Sequence, residues 1–86
     1  MLKYYKMYRT GGEANEISYE QALNTLLGNY RDNDMTRDML TIPNKIMCQF
    51  STIYVEETKE DGRTITASRS NDLPNGVRYD DDGNRV

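Results

Sequence analysis

The chain has 86 residues, a net charge of −3, 36% hydrophobic residues, seven Tyr, one Phe, and neither Trp nor His. This length supports one domain burying about 60–65% of the surface that its unfolded chain exposes, so the core is small and Tyr rings fill part of it. Without His, and with one Cys, the Ser-His-Asp, Cys-His and His-metal constellations are excluded within one chain, and the dispersed cations disfavour duplex-DNA binding.

Residues 2–9 alternate in character, with Leu2, Tyr4, Lys6 and Tyr8 on one side and Lys3, Tyr5, Met7 and Arg9 on the other. The alternation predicts a strand that ends at Gly11 and Gly12. Ser18 with Gln21 three residues on forms a capping box, and Ile17 and Ala22 occupy the staple positions around it. Tyr19, Ala22, Leu23, Leu26, Leu27 and Tyr30 then recur at helical spacing, predicting a helix that packs on the sheet and ends at Gly28 or Asn29, residues that tolerate left-handed geometry.

A shorter helix is expected over residues 34–40, capped by Asp32, Asn33 or Asp34, with Met35, Met39 and Leu40 turned inward. Pro43 ends it and pushes Ile42 toward an extended conformation. Residues 46–55 are rich in β-branched and aromatic side chains and predict a long central strand. In such a strand Ile46, Cys48, Phe50 and Tyr54 face one way and Met47, Ile53 and Val55 the other. Lys59, Glu60, Asp61 and Gly62 carry turn chemistry, and residues 63–70 return as a second strand to complete a β-hairpin. A short strand at Val77, Arg78 and Tyr79 and a tail from about residue 80, either a small terminal hairpin or mobile, complete the expected order.

The candidate chemistry is modest. Cys48 reads as a small buried hydrophobe. Glu56 and Glu57 are adjacent on a strand and point to opposite faces, so they do not form an acid-base pair. Asp80, Asp81 and Asp82 lack the alternating spacing and closing Glu of a calcium loop, and read as a solvated turn. Residues 79–86 resemble one copy of the tyrosine-aspartate repeat of large secreted wrapping proteins, which implies a hairpin turn at most. Gly11 and Gly12 lack the Lys-Ser/Thr ending of a phosphate-binding loop and precede Glu13 and Glu16. No metal or cofactor is expected.

Two sets of residues remain as binding candidates. The polar residues Arg31, Asp32, Asp34 and Arg37, with Glu56, Glu57, Asp80, Asp81 and Asp82, can make directional bonds to a protein partner. Tyr4, Tyr8, Arg9 and Arg69 can instead stack on and hold a nucleotide, since cations interleaved with aromatic rings suit bases and phosphates.

These elements assemble as one α+β domain: a three- to four-stranded, mainly antiparallel sheet with one main helix packed on one face and a short second helix. One helix covers one face, so apolar surface on the other points to a homodimer or a protein partner. In its length, acidity, missing catalytic residues and Tyr-rich pattern the chain is similar to the small accessory proteins of phages and mobile elements, including anti-CRISPR and other anti-defence inhibitors. The resemblance implies a non-enzymatic, stoichiometric inhibitor of a host effector, located in the cytoplasm of a bacterial host. A nucleotide-sequestering protein and an assembly protein acting through oligomerisation are the alternatives. No apolar run approaches the ~18–20 residues of a membrane span, and residues 1–4 carry no signal-peptide core, so a soluble protein is expected.

Overall fold

The structure, a computed structural model, describes residues 1–66. The expected strand 77–79, the tail, Arg69 and Asp80, Asp81 and Asp82 lie outside the described residues. Seven elements follow in chain order: β1 (Leu2–Tyr8), β2 (Asn15–Ile17), α1 (Tyr19–Leu27), α2 (Asp34–Asp38), β3 (Asn44–Met47), β4 (Ser51–Thr58) and β5 (Thr64–Ile65). The five strands form one antiparallel sheet in the order β2-β1-β4-β3, with β5 pairing further along β4. The α+β architecture is therefore as expected, with one main helix and a short second one.

Local chemistry explains both helices. The Ser18 hydroxyl accepts from the Gln21 backbone N–H at 3.1 Å, and the Gln21 side chain accepts from the Ser18 N–H at 3.0 Å. This reciprocal box satisfies two amides that a helix start leaves without partners. Gly28 ends α1 with φ −75°, not in the left-handed conformation expected. The last turn tightens instead, with the Asn29 and Tyr30 amides both donating to the Leu26 carbonyl at 2.9 and 2.7 Å. Asn33 caps α2 by accepting from the Thr36 N–H at 3.0 Å. Met39 and Leu40 follow this helix and are fully buried, as their inward orientation predicts.

The long strand expected over residues 46–55 is two strands. Cys48 donates its N–H to the Ser51 carbonyl at 2.8 Å, and Gln49 and Phe50 form a two-residue turn between β3 and β4. Ile46 then stands opposite Ile53, and Asn44 opposite Val55. The turn changes the phase of the alternation, so the apolar residues assigned to two faces share one. The sequence signal is the spacing of three between Cys48 and Ser51, where a straight strand keeps a period of two. β4, the second half of the segment, is central beside β1, whereas β3 is an edge.

That shared face meets the helices. Ala22, Leu26, Tyr30, Met39, Leu40, Ile46, Cys48, Ile53 and Val55 form the core, and Leu2, Tyr4, Ile17 and Leu23 pack against it. Each large apolar side chain so buried contributes about 1.5–3 kcal/mol relative to exposure. Cross-links between layers are polar: the Tyr4 hydroxyl donates to the Leu40 carbonyl at 3.1 Å, and buried Asn44 donates to the Met39 carbonyl at 3.0 Å.

The β4–β5 hairpin follows its turn chemistry. Gly62 donates to the Lys59 carbonyl at 2.9 Å and sits at φ +88°, a conformation suited to glycine, while Lys59 donates to the Arg63 carbonyl at 2.7 Å. β5 pairs only with Glu57 and Thr58. β3 occupies the same edge of β4 from Thr52 to Val55. The remainder of the expected strand 63–70 lies beyond residue 66.

Candidate functional site

The turn between β3 and β4 is held by three hydrogen bonds from elsewhere in the chain. Asn29 Oδ1 accepts the Gln49 N–H at 2.8 Å, the Tyr30 hydroxyl donates to the Met47 carbonyl at 2.8 Å, and Arg9 donates its N–H to the Phe50 carbonyl at 3.0 Å. Tyr30 is itself buried, so its ring and hydroxyl fix the turn to the core. On this clamped backbone Phe50 is 73% exposed. Phe50, the chain's single Phe, is the most exposed aromatic ring among the described residues.

Tyr8 pairs in register with Ser51, the residue after Phe50, and is 58% exposed. Lys6 Nζ stands 5.2 Å from the Tyr8 ring centroid, within cation-π range. Arg9 is exposed and continues β1 past Tyr8. Arg9, Asn29, Met47, Cys48 and Gln49 line a hollow of about 340 Å³ next to the turn. Residue types enriched at the centres of protein interfaces thus lie at this end of the sheet, with Tyr8 on its helix-side face and Met47 on the opposite one.

The candidates singled out in the sequence are distributed differently. Arg31, Asp32, Asp34 and Arg37 lie in the helical layer, on the α1–α2 connection and α2, and Asp32 is paired with Arg37 at 2.7 Å. Glu56 and Glu57 lie toward the opposite end of β4 from the Phe50 turn, on opposite faces, and Glu57 pairs with Lys59 at 3.1 Å. These acidic groups do not converge, and two of them are engaged by neighbouring cations. A hollow of about 550 Å³ near Glu57 is lined by Met1, Thr58, Lys59, Glu60 and Asp61.

The nucleotide set divides as well. The Tyr4 ring meets Tyr19 edge-on at 5.6 Å, and its hydroxyl is committed to Leu40. Burial raises the pKa of that hydroxyl, with a further contribution from Tyr19. Tyr8 and Arg9 remain exposed at the sheet end.

Sequence reasoning missed Phe50, because a continuous strand placed its ring on the same face as Ile46. Among the described residues no three His, Cys, Asp or Glu side chains converge as metal ligands, and no helix is long and apolar enough to cross a membrane.

No protein-family model, curated protein or solved structure matches the chain.

Proposed function

We propose that this chain is a non-enzymatic protein-binding module that engages its partner through the sheet end carrying Phe50, Tyr8 and Arg9. The observation that carries this reading is Phe50, mostly exposed on a turn fixed by Asn29, Tyr30 and Arg9. A rigid aromatic anchor loses little conformational freedom on binding, so more of its contact energy is retained as affinity. Aromatic and Arg side chains supply most of the binding hot spots at protein interfaces.

The finer reading is a stoichiometric inhibitor of a bacterial host's defence effector, of the kind encoded by phages and mobile elements. Its support is the small acidic chain without His, which suits blocking a surface better than turning over a substrate. Electrostatic mimicry of nucleic acid is a weaker route than aromatic anchoring, because Asp32 and Glu57 already pair with Arg37 and Lys59.

The test is affinity capture from a bacterial lysate with wild-type and Phe50→Ala baits in parallel. One protein is expected to co-purify at fixed stoichiometry with the wild type and to be lost with Phe50→Ala. Titrating the module against that protein's activity should reach full inhibition at equivalence. Equal recovery by both baits, or recovery of nothing, overturns the proposal.

A further inference from the structure

The sheet face away from the helices carries Lys3, Tyr5 and Met7 from β1, Glu16 from β2, Thr52, Tyr54 and Glu56 from β4, and Lys45 and Met47 from β3. Strand register sets them in rows. One row crosses the whole sheet as Glu16, Tyr5, Tyr54, Lys45, and the next places Lys3 opposite Glu56. The two tyrosines are half-buried at the middle, beside a depression of about 300 Å³ that Met7 and Ala14 also line. Exposed Glu16 and Lys45 stand at the two rims.

From this pattern we infer that the face is the contact between two copies of this chain, related by a two-fold axis parallel to the strands between β1 and β4. Such an axis exchanges the two sides of every row. Glu16 then faces Lys45 of the second copy, Tyr5 faces Tyr54, and Lys3 faces Glu56, so each of these four charges meets its opposite and the aromatic centre meets itself. A two-fold axis running across the strands instead sets Lys45 against Lys45 and Glu16 against Glu16, which like-charge repulsion opposes. Sheets stacked face to face keep their strands within about 30° of alignment, compatible with the first arrangement. The contact centres on the Tyr5–Tyr54 row at the middle of the sheet, whereas Phe50 lies at its end, with Met47 on the side of the face nearer to it.

The experiment is sedimentation equilibrium of the full 86-residue chain at low salt, from micromolar to millimolar concentration, with circular dichroism to verify folding. The wild type is expected to dimerise. Lys45→Glu and Glu16→Lys should each raise the dimer dissociation constant by about tenfold or more, while the Lys45→Glu/Glu16→Lys double variant restores it. Within one copy the two residues are about 14 Å apart, three interstrand spacings, so restoration reports contact between copies. A wild-type monomer throughout, or a double variant no better than the single ones, overturns the inference.

Discussion

Asn29 reaches across 20 positions of sequence to accept the Gln49 backbone N–H at 2.8 Å, joining the end of α1 to the turn between β3 and β4. The contact supplies from the helical layer what the turn's own residues do not, since neither Gln49 nor Phe50 belongs to the Gly, Asn or Asp types that favour tight hairpins. The same bond positions the backbone that displays Phe50.

Removing this acceptor therefore has a defined consequence. Asn29→Ala is expected to cost about 1 kcal/mol, lowering the thermal midpoint by roughly 4–8 °C, whereas Asn29→Asp keeps an oxygen for the Gln49 amide and stays closer to the wild type. Thermal unfolding followed by circular dichroism measures both. Equal loss in the two variants would show that the hydrogen bond is not what Asn29 contributes.

Phe50 separates binding from stability. Because its side chain is mostly exposed, Phe50→Ala should change the unfolding free energy by less than about 0.5 kcal/mol. Partner affinity should fall by roughly 30-fold or more, the effect of losing a hot-spot aromatic. Chemical denaturation and calorimetric titration with the captured partner give the two values independently.

Tyr4 links the fold to alkaline pH. Its folded-state pKa is raised, first by burial and then by Tyr19, so the native state holds the phenolic proton more tightly than the unfolded chain does. The resulting stabilisation is complete below the unfolded value of about 10 and is lost as pH rises from there through the folded pKa. Thermal midpoints should fall in that alkaline window, and less steeply in Tyr4→Phe. At neutral pH the same variant loses the bond to Leu40, worth about 1 kcal/mol. An unchanged alkaline slope in Tyr4→Phe would assign the loss to other groups.

Asn44 tests the buried polar link between α2 and β3. Its amide nitrogen donates to the Met39 carbonyl in a site with 1% exposure. Asn44→Asp replaces that donor with an acceptor and should destabilise the fold at neutral pH by about 3 kcal/mol or more. Burial raises the new carboxyl's pKa in the folded state, so the deficit should shrink as pH falls and the protonated acid donates again. Denaturant titrations of both proteins between neutral and acidic pH measure this difference; a deficit independent of pH would rule out the charge as its cause.

Much of the architecture is determined by short-range sequence chemistry. Ser18 and Gln21 start α1, Asn33 starts α2, Gly62 closes the β4–β5 hairpin, and the alternation from Leu2 to Tyr8 makes β1, because each signal acts over a few residues. The three-residue β2 was not legible, since Asn15 and Glu16 carry little strand propensity and gain their conformation by pairing with Lys6 and Tyr5. The break at Gln49 and Phe50 was present only as a shift in alternation phase. What chose a turn there was tertiary: Asn29, Tyr30 and Arg9 bind its backbone, and Ile46 and Ile53 enter the core together only if the chain reverses. Local sequence thus determined where α1, α2 and β1 form, while strand pairing, burial and long-range hydrogen bonding decided that β2 exists, where β3 gives way to β4, which face each strand presents and that Phe50 stands outside, because these depend on partners distant along the chain.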